Sequence, residues 1–435
     1  MALRAFAGWM NDAAAAAASR NGVTIGEAFV SWRDIDRKAA AQARDLRPFA
    51  TYVVDPDAGH DSFVALLAVA RTPAAALLWG VPAELPLPSE KIAPGLHVAE
   101  PNPLLRRLGD RPLYGSLTSG SSGTAKLPIG FADQMTLTGF HYDKMLYEPT
   151  LGEPGEGGTL ATGLPPAYSA TLMMAIIPAW HTARNLLVVR PDRWDLIHAQ
   201  AAKAKVMAMS VPALLPLACA SAPKGSRGAG LTLLTTAGYL TRSRIAAVRE
   251  RLDEAGLMSS YGASETGVMT LDPAPTGELH VGRPLFGKPV WLSGAGDDSV
   301  GKVTTSGPDC REYYLDGAPI RHMDGTVAMT DLGHFDGSGQ LYLDGRLDAG
   351  EKMRGVTIYP RRIERHLLGM RDLEDAKVQV LPGAGLAPDR LVATIVGNVS
   401  EEAVRAYCEP LPDFLRPTHY VIKAAELAYS NRGKL

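Results

Sequence analysis

The chain has 435 residues, 46% of them hydrophobic and 21% charged, a composition that fits a globular protein with two or three domains and a large buried core. A formal net charge of -2 gives no sign of a broad basic surface, so neither nucleic acid nor anionic membrane is expected as the main partner. Cys219, Cys310 and Cys408 lie too far apart for a metal-ligand spacing or a disulfide framework, as expected of a protein kept in a reducing cytoplasm.

The N-terminal stretch MALRAFAGWMNDAAAAAASR is broken by Asn11 and Asp12 and preceded only by Arg4, so it reads as an Ala-rich helix and not as a leader. Residues 31–46 have helical periodicity and are followed by the strand-like ATYVVD. DSFVALLAVAR repeats that order, with AALLW as its strand, and Pro-rich loops follow between Pro82 and Pro103. The strongest apolar run, 170–180, is too short to span a bilayer and contains Pro178. Further on, AKVMAMSV and LTLLTTAG read as strands, and TRSRIAAVRERLDEAG as a helix with Gly256 as its C-cap. From about residue 277 short β-like pieces take over: ELHVGRP, KPVWLSG, GKVTTSGP, TVAMTD and QLYLDGR. The tail offers a helix at PRRIERHLLGM and paired strands at DAKVQVLP and RLVATIVG. The fold class is therefore α/β. Residues 1–347 form a large N-terminal domain, about 277–347 of it a β-rich subdomain, and residues 348–435 form a small α+β C-terminal domain.

Nine of the ten residues from Gly115 to Thr124 are Gly, Ser or Thr, and Lys126 follows. Such a loop offers backbone N–H groups and hydroxyls to phosphate oxygens, and the lysine adds a point charge. It is not a Walker A loop, because Ala125 precedes the lysine and Leu127 follows it. A flexible linker is the plainer alternative, but linkers seldom sit between two apolar blocks. TSGSSGTAK resembles the phosphate loop TSGSTGxPK of the adenylate-forming superfamily, which includes acyl- and aryl-CoA ligases, nonribosomal adenylation domains and luciferases. Four more motifs follow in the family's order. Tyr261-Gly-Ala-Ser-Glu265 resembles YGxTE, and Thr330-Asp331 with Gly339 to Arg346 resembles TGD…GxLxxxGR. Lys352 to Glu364 resembles IKxxGxxIxPxEIE, and Asn431-Arg-Gly-Lys434 resembles the terminal xxxGK. The resemblance covers roughly residues 25–435.

It implies a site for ATP and Mg²⁺. Thr118, Ser119, Gly120, Ser121, Ser122, Gly123, Thr124 and Lys126 would hold the leaving pyrophosphate, and Glu265 the metal. Tyr261, Gly262 and Ser264, with Thr236-Ala237-Gly238, match the segments that pack on adenine in relatives. Asp331 and Arg346 match the ribose-binding pair, Lys434 the catalytic lysine, and Asp348 the hinge of the small domain. Each residue alone has a plainer reading: a solvated carboxylate, a turn aspartate, a frayed terminal lysine.

The acid pocket matches the stretch Tyr168, Ser169 and Met173, with Trp180 farther along. Ser169 stands where amino-acid-activating relatives carry an aspartate, so an α-ammonium would lose its counter-ion and an aryl or short acyl carboxylate is expected. Met173 and Trp180 serve equally well as core packing, and His181 is read as structural. The expected acceptor is the thiol of CoA or of a carrier protein. An amine acceptor, a non-carboxylic acid, or a nucleotide-binding pseudoenzyme are the alternatives.

Overall fold

A computed structural model describes residues 12–100, 105, 112–118, 126–238, 240–277, 280–294, 300–315, 318–320, 325–347, 350–353, 356–381 and 389–423. Ser119 to Thr124, Asp348 and Lys434 lie outside the described residues.

Two sheets carry most of the chain. Short runs such as Ala76–Trp79 and Val206–Ser210 are buried on both faces, which is why they read as continuous apolar segments without alternation. The first sheet has nine strands, with parallel pairing running from Gly22–Ile25 through Asn185–Val188, Thr159–Thr162, Val206–Ser210 and Leu231–Thr235 to Gly256–Ala263. The second has seven strands, and Thr51–Val54, Ala76–Trp79 and Leu113–Ser116 form its parallel centre. Helices Trp32–Gln42, His60–Arg71 and Ala132–Tyr142, with the helical run 169–182, fill the layer between the sheets. One core joins all three layers, from Val23, Leu160 and Met207 through Trp32, Leu66 and Ile176 to Tyr52, Trp79 and Tyr114. Trp32 is wholly buried there and donates through Nε1 to the Arg184 carbonyl at 2.7 Å, so its one polar atom is satisfied.

A four-stranded antiparallel sheet follows, made of Val290–Ser293, Gly301–Ser306, Thr326–Phe335 and Leu341–Arg346. Among its described residues, ELHVGRP supplies the strand Arg283–Pro284 at the edge of the nine-stranded sheet and an isolated bridge from His280 to Tyr342. The last elements have a core of their own, including Ile358, Ile363, Leu367, Val378, Ile395 and Val404. There helix Pro360–Leu368 packs on the antiparallel pair Leu373–Leu381 and Arg390–Gly397, with Pro360 in the first turn where no N–H is needed.

Two local expectations are corrected. Helix Arg242–Arg251 ends before Leu252, and Gly256 opens the next strand instead of capping the helix. A Cβ on Gly256 would stand 2.7 Å from Thr232 Oγ1, so the glycine serves close strand packing. The Pro-rich stretch after Pro82 also holds a hairpin, Ser89–Ala93 with Leu96–Ala99, whose turn puts Gly95 at φ +67. Among the described residues no helix is long and apolar enough to cross a membrane, and the three cysteines form no disulfide.

The helical run 169–182 is not uniform. Pro178 lacks an N–H and would crowd the carbonyl four residues back, so the helix opens into a π-turn at Leu172–Ile176. The freed Met174 carbonyl accepts the hydroxyl of buried Tyr147. Tyr147→Phe keeps the packing but strands that carbonyl, and should cost about 1–3 kcal/mol of stability in urea denaturation. An unchanged midpoint would show that the carbonyl has another partner.

Candidate active site

The loop expected to bind phosphate leaves the seven-stranded sheet after Ser116 and returns at Pro128. Its neck is closed by an antiparallel bridge. Thr118 N–H donates to the Lys126 carbonyl at 2.8 Å, and Lys126 N–H donates back at 3.3 Å. The exposed Lys126 ammonium lies 5.1 Å from the centroid of the Tyr314 ring, within cation–π range.

Glu265 arrives from the other sheet. Strand Gly256–Ala263 bulges between Tyr261 and Gly262, and a Cβ on Gly262 would meet the Gly267 carbonyl at 2.1 Å. The turn that follows is held by Thr266, whose hydroxyl accepts from Ala263 N–H at 3.2 Å and whose N–H donates to the Ala263 carbonyl at 3.1 Å. Half-buried Glu265 accepts the Tyr314 hydroxyl at 3.0 Å on one oxygen. Its other oxygen has no hydrogen-bond partner among the described residues. No group of three or more His, Cys, Asp or Glu is gathered to hold a metal among them either. One open carboxylate oxygen beside a phosphate loop fits Mg²⁺, which keeps several waters and takes one or two carboxylates plus substrate phosphates.

The remaining predicted residues fall at several places around these loops and the strands beyond them. Ser264 meets Ser169 hydroxyl to hydroxyl at 2.6 Å, so the helix expected to line the acid pocket starts against the YGASE turn. Asp331 and Arg346 face each other across the Thr326–Phe335 and Leu341–Arg346 strands, 3.8 Å apart, with Asp331 7% exposed. Tyr261 packs beside Met269 and Val303, and Ala237 is held at φ +60 immediately before Gly238. A left-handed alanine is strained, and such strain persists where surrounding structure over-determines it, often at ligand clamps.

Tyr168 caps the pocket helix, and Met173 lies in its π-turn with only 3% exposure. Trp180 is not brought to Ser169. It lies about 16 Å farther along the helix, inside the core and stacked on His181.

Sequence reasoning missed three groups. Tyr314 was visible only as half of a Tyr-Tyr pair. Arg311 is wholly buried, with its guanidinium 4.1 Å over the Tyr114 ring and one N–H on Met173 Sδ at 2.7 Å. Burial alone lowers its pKa to about 9, because no carboxylate is paired with it among the described residues. Lys288 and Asp309 form a buried ion pair beneath the Glu265 turn. Nothing in the sequence tells a buried lysine from a solvated one.

No family model matches the chain. Among curated proteins it is 27% identical to an uncharacterized acyl-CoA ligase, YhfT, of Bacillus subtilis, over 41% of this chain and 38% of that one. It is 26% identical to 4-coumarate–CoA ligase 3 of Arabidopsis thaliana, over 47% of this chain and 40% of that one. The matched stretch thus spans about two fifths of each relative's length. Solved structures cover far more. ATP-bound MatB from Rhodopseudomonas palustris matches with a TM-score of 0.73 at 16% identity, over 95% of this chain and 93% of that one. The amide bond synthetase McbA from Marinactinospora thermotolerans matches at 0.72 and 18% identity, over 100% of this chain and 98% of that one. These likenesses show the fold, and the motifs along the chain keep the order in which they resemble the adenylate-forming superfamily.

Arg311 is an unusual core residue, since an uncompensated buried cation is costly and apolar replacements of similar volume are often neutral or stabilising. Arg311→Met should leave thermal stability unchanged or raise it by about 1–4 kcal/mol. A loss of similar size would mean that the Tyr114 and Met173 contacts outweigh desolvation.

Proposed function

We propose that this protein activates a carboxylic acid with ATP and then transfers the acyl group to the thiol of CoA. The acid's oxygen attacks the α-phosphorus, the bond to the bridging oxygen breaks, and pyrophosphate leaves with the electron pair, giving an acyl-AMP. A thiolate then attacks the acyl carbon and AMP leaves. Two anions have to be brought together in line, so positioning and charge neutralisation carry most of the work.

The observation that carries the reading is the convergence of Lys126 and Glu265, 139 positions apart in sequence, on the two ends of Tyr314. In this reading the Thr118–Lys126 loop binds the departing phosphates and Glu265 holds Mg²⁺, which neutralises phosphate charge when bound. Asp331 and Arg346 take the ribose hydroxyls, Ala237-Gly238 and Tyr261 flank the adenine, and Lys434 bridges the carboxylate and α-phosphate. The small domain from 348 onward turns about Asp348 between half-reactions. The acid is an aryl or short acyl carboxylate lying between Tyr168, Ser169 and Met173. We place the reaction in the cytoplasm, where three unlinked cysteines stay reduced.

CoA is favoured as acceptor by the names of the curated relatives. The likeness to an amide bond synthetase makes an amine the second acceptor to test, and a carrier-protein pantetheine the third. The deciding experiment is acid-dependent pyrophosphate release across aryl, acyl and amino acids, with mass detection of the acyl-AMP and then of each acceptor's product. Lys434→Ala should lose roughly 10²–10³-fold in pyrophosphate release, the scale of one preorganised charge stabiliser. Unchanged release would remove Lys434 from the adenylation step.

Ser169 also sets a substrate prediction. An acid without an α-ammonium should exceed the amino acid of matching side chain by about tenfold or more in kcat/KM, and Ser169→Asp should narrow the gap. A proteinogenic amino acid as the best substrate would contradict the pocket assignment and leave the nucleotide site untouched.

A further inference from the structure

The ion pair Lys288–Asp309 poses a question that stability does not answer, because a buried pair of this kind can often be replaced by apolar residues at little cost. Several of its contacts lead to the turn that carries Glu265. Lys288 Nζ donates to Asp309, to the Thr266 carbonyl at 2.8 Å and to Cys310 Sγ at 3.4 Å. On the other side of the pair, Tyr142 donates its hydroxyl to Asp309 Oδ2 at 3.1 Å and accepts from Val268 N–H at 2.6 Å. Burial and the Asp309 charge keep that phenol protonated, with its pKa well above the ordinary value. Two residues on, Arg311 N–H donates to the Glu265 carbonyl at 2.8 Å.

The backbone is therefore held at three consecutive points around the carboxylate: Glu265 O, Thr266 O and Val268 N. Gly267, at φ +67, lies flat on this support. A Cβ there would meet Tyr142 Oη at 2.3 Å and Asp309 Oδ2 at 2.4 Å. An apolar pair could fill the same volume, but it could not grip a carbonyl on one side of the glycine and, through Tyr142, an amide on the other.

We propose that Lys288 and Asp309, with Tyr142, are positioning residues that fix the Glu265 carboxylate for the Mg²⁺ of MgATP. The proposal rests on the reading of Glu265 given above. The test measures ATP affinity by calorimetry, with Mg²⁺ and with EDTA, together with thermal unfolding. The proteins are the wild type, Glu265→Gln, the double variant Lys288→Met/Asp309→Leu, and Tyr142→Phe.

The double variant should fold and melt at most modestly below the wild type, because relief of buried charge offsets the hydrogen bonds lost at the Thr266 carbonyl and the Tyr142 hydroxyl. It should lose about tenfold in ATP affinity with Mg²⁺ present and nothing in EDTA, the pattern also expected of Glu265→Gln. Tyr142→Phe should show a smaller loss of the same kind. If the double variant does not fold, Tyr142→Phe, which leaves the ion pair intact, decides between the same two outcomes. Wild-type Mg²⁺ dependence in a folded variant overturns the positioning role, as does an equal loss with and without the metal alongside a large fall in melting temperature. Wild-type protein whose ATP binding ignores Mg²⁺ overturns the metal role of Glu265 itself, and the positioning role with it.

Discussion

In the proposed reading a cation and an anion serve the same polyphosphate, and they have to be held close together without neutralising each other. In this protein Tyr314 separates them. Its ring face lies under the Lys126 ammonium and its hydroxyl donates to Glu265, so each charge has a partner weaker than the other charge would be. A direct Lys126–Glu265 bridge would have to be broken before phosphate or metal could enter. The spacer is itself fixed by the sheet, since Tyr313–Tyr314 pairs with Pro128–Ile129 immediately after the phosphate loop. Leu315 N–H then donates to the Leu127 carbonyl at 3.0 Å. The segment 309–315 thus clips the two motif loops together, supporting the Glu265 turn at its start and bracing the phosphate loop at its end.

This arrangement concentrates buried charge in one place. Lys288, Asp309 and Arg311 are all under 5% exposed, and Arg311 carries no carboxylate partner among the described residues. Such groups contribute little net stability for the desolvation they cost. Local strain is found in left-handed Ala237 and in the π-turn that Pro178 imposes on the helical run 169–182. The compensation is the continuous apolar core between the two sheets, which is large enough to carry these local costs.

The α/β alternation was legible because parallel strands buried on both faces leave unbroken apolar runs, and amphipathic helices such as Trp32–Gln42 leave a polar face. Lys126, Glu265, Asp331 and Arg346 were legible as candidates because each sits in a motif whose neighbours are constrained, as Gly262 is by the Gly267 carbonyl. The clip was not. Its work is done largely by backbone atoms of residues 311–315 and by a Tyr-Tyr pair, none of which leaves a pattern in sequence. Trp180 failed to meet Ser169 because helical rise, not sequence proximity, sets their separation. Gly256 misled because a helix C-cap and a tightly packed strand both select glycine.

The measurement that tests the chemistry most directly follows the acid's own oxygen. An acid that supports pyrophosphate release, labelled with ¹⁸O in its carboxylate, should deliver one labelled oxygen to AMP when the acyl group passes to its acceptor, because that oxygen formed the new bond to the α-phosphorus. Pyrophosphate should stay unlabelled. Label recovered in inorganic phosphate or pyrophosphate, or AMP free of label, would place the attack elsewhere on ATP and contradict an acyl-adenylate.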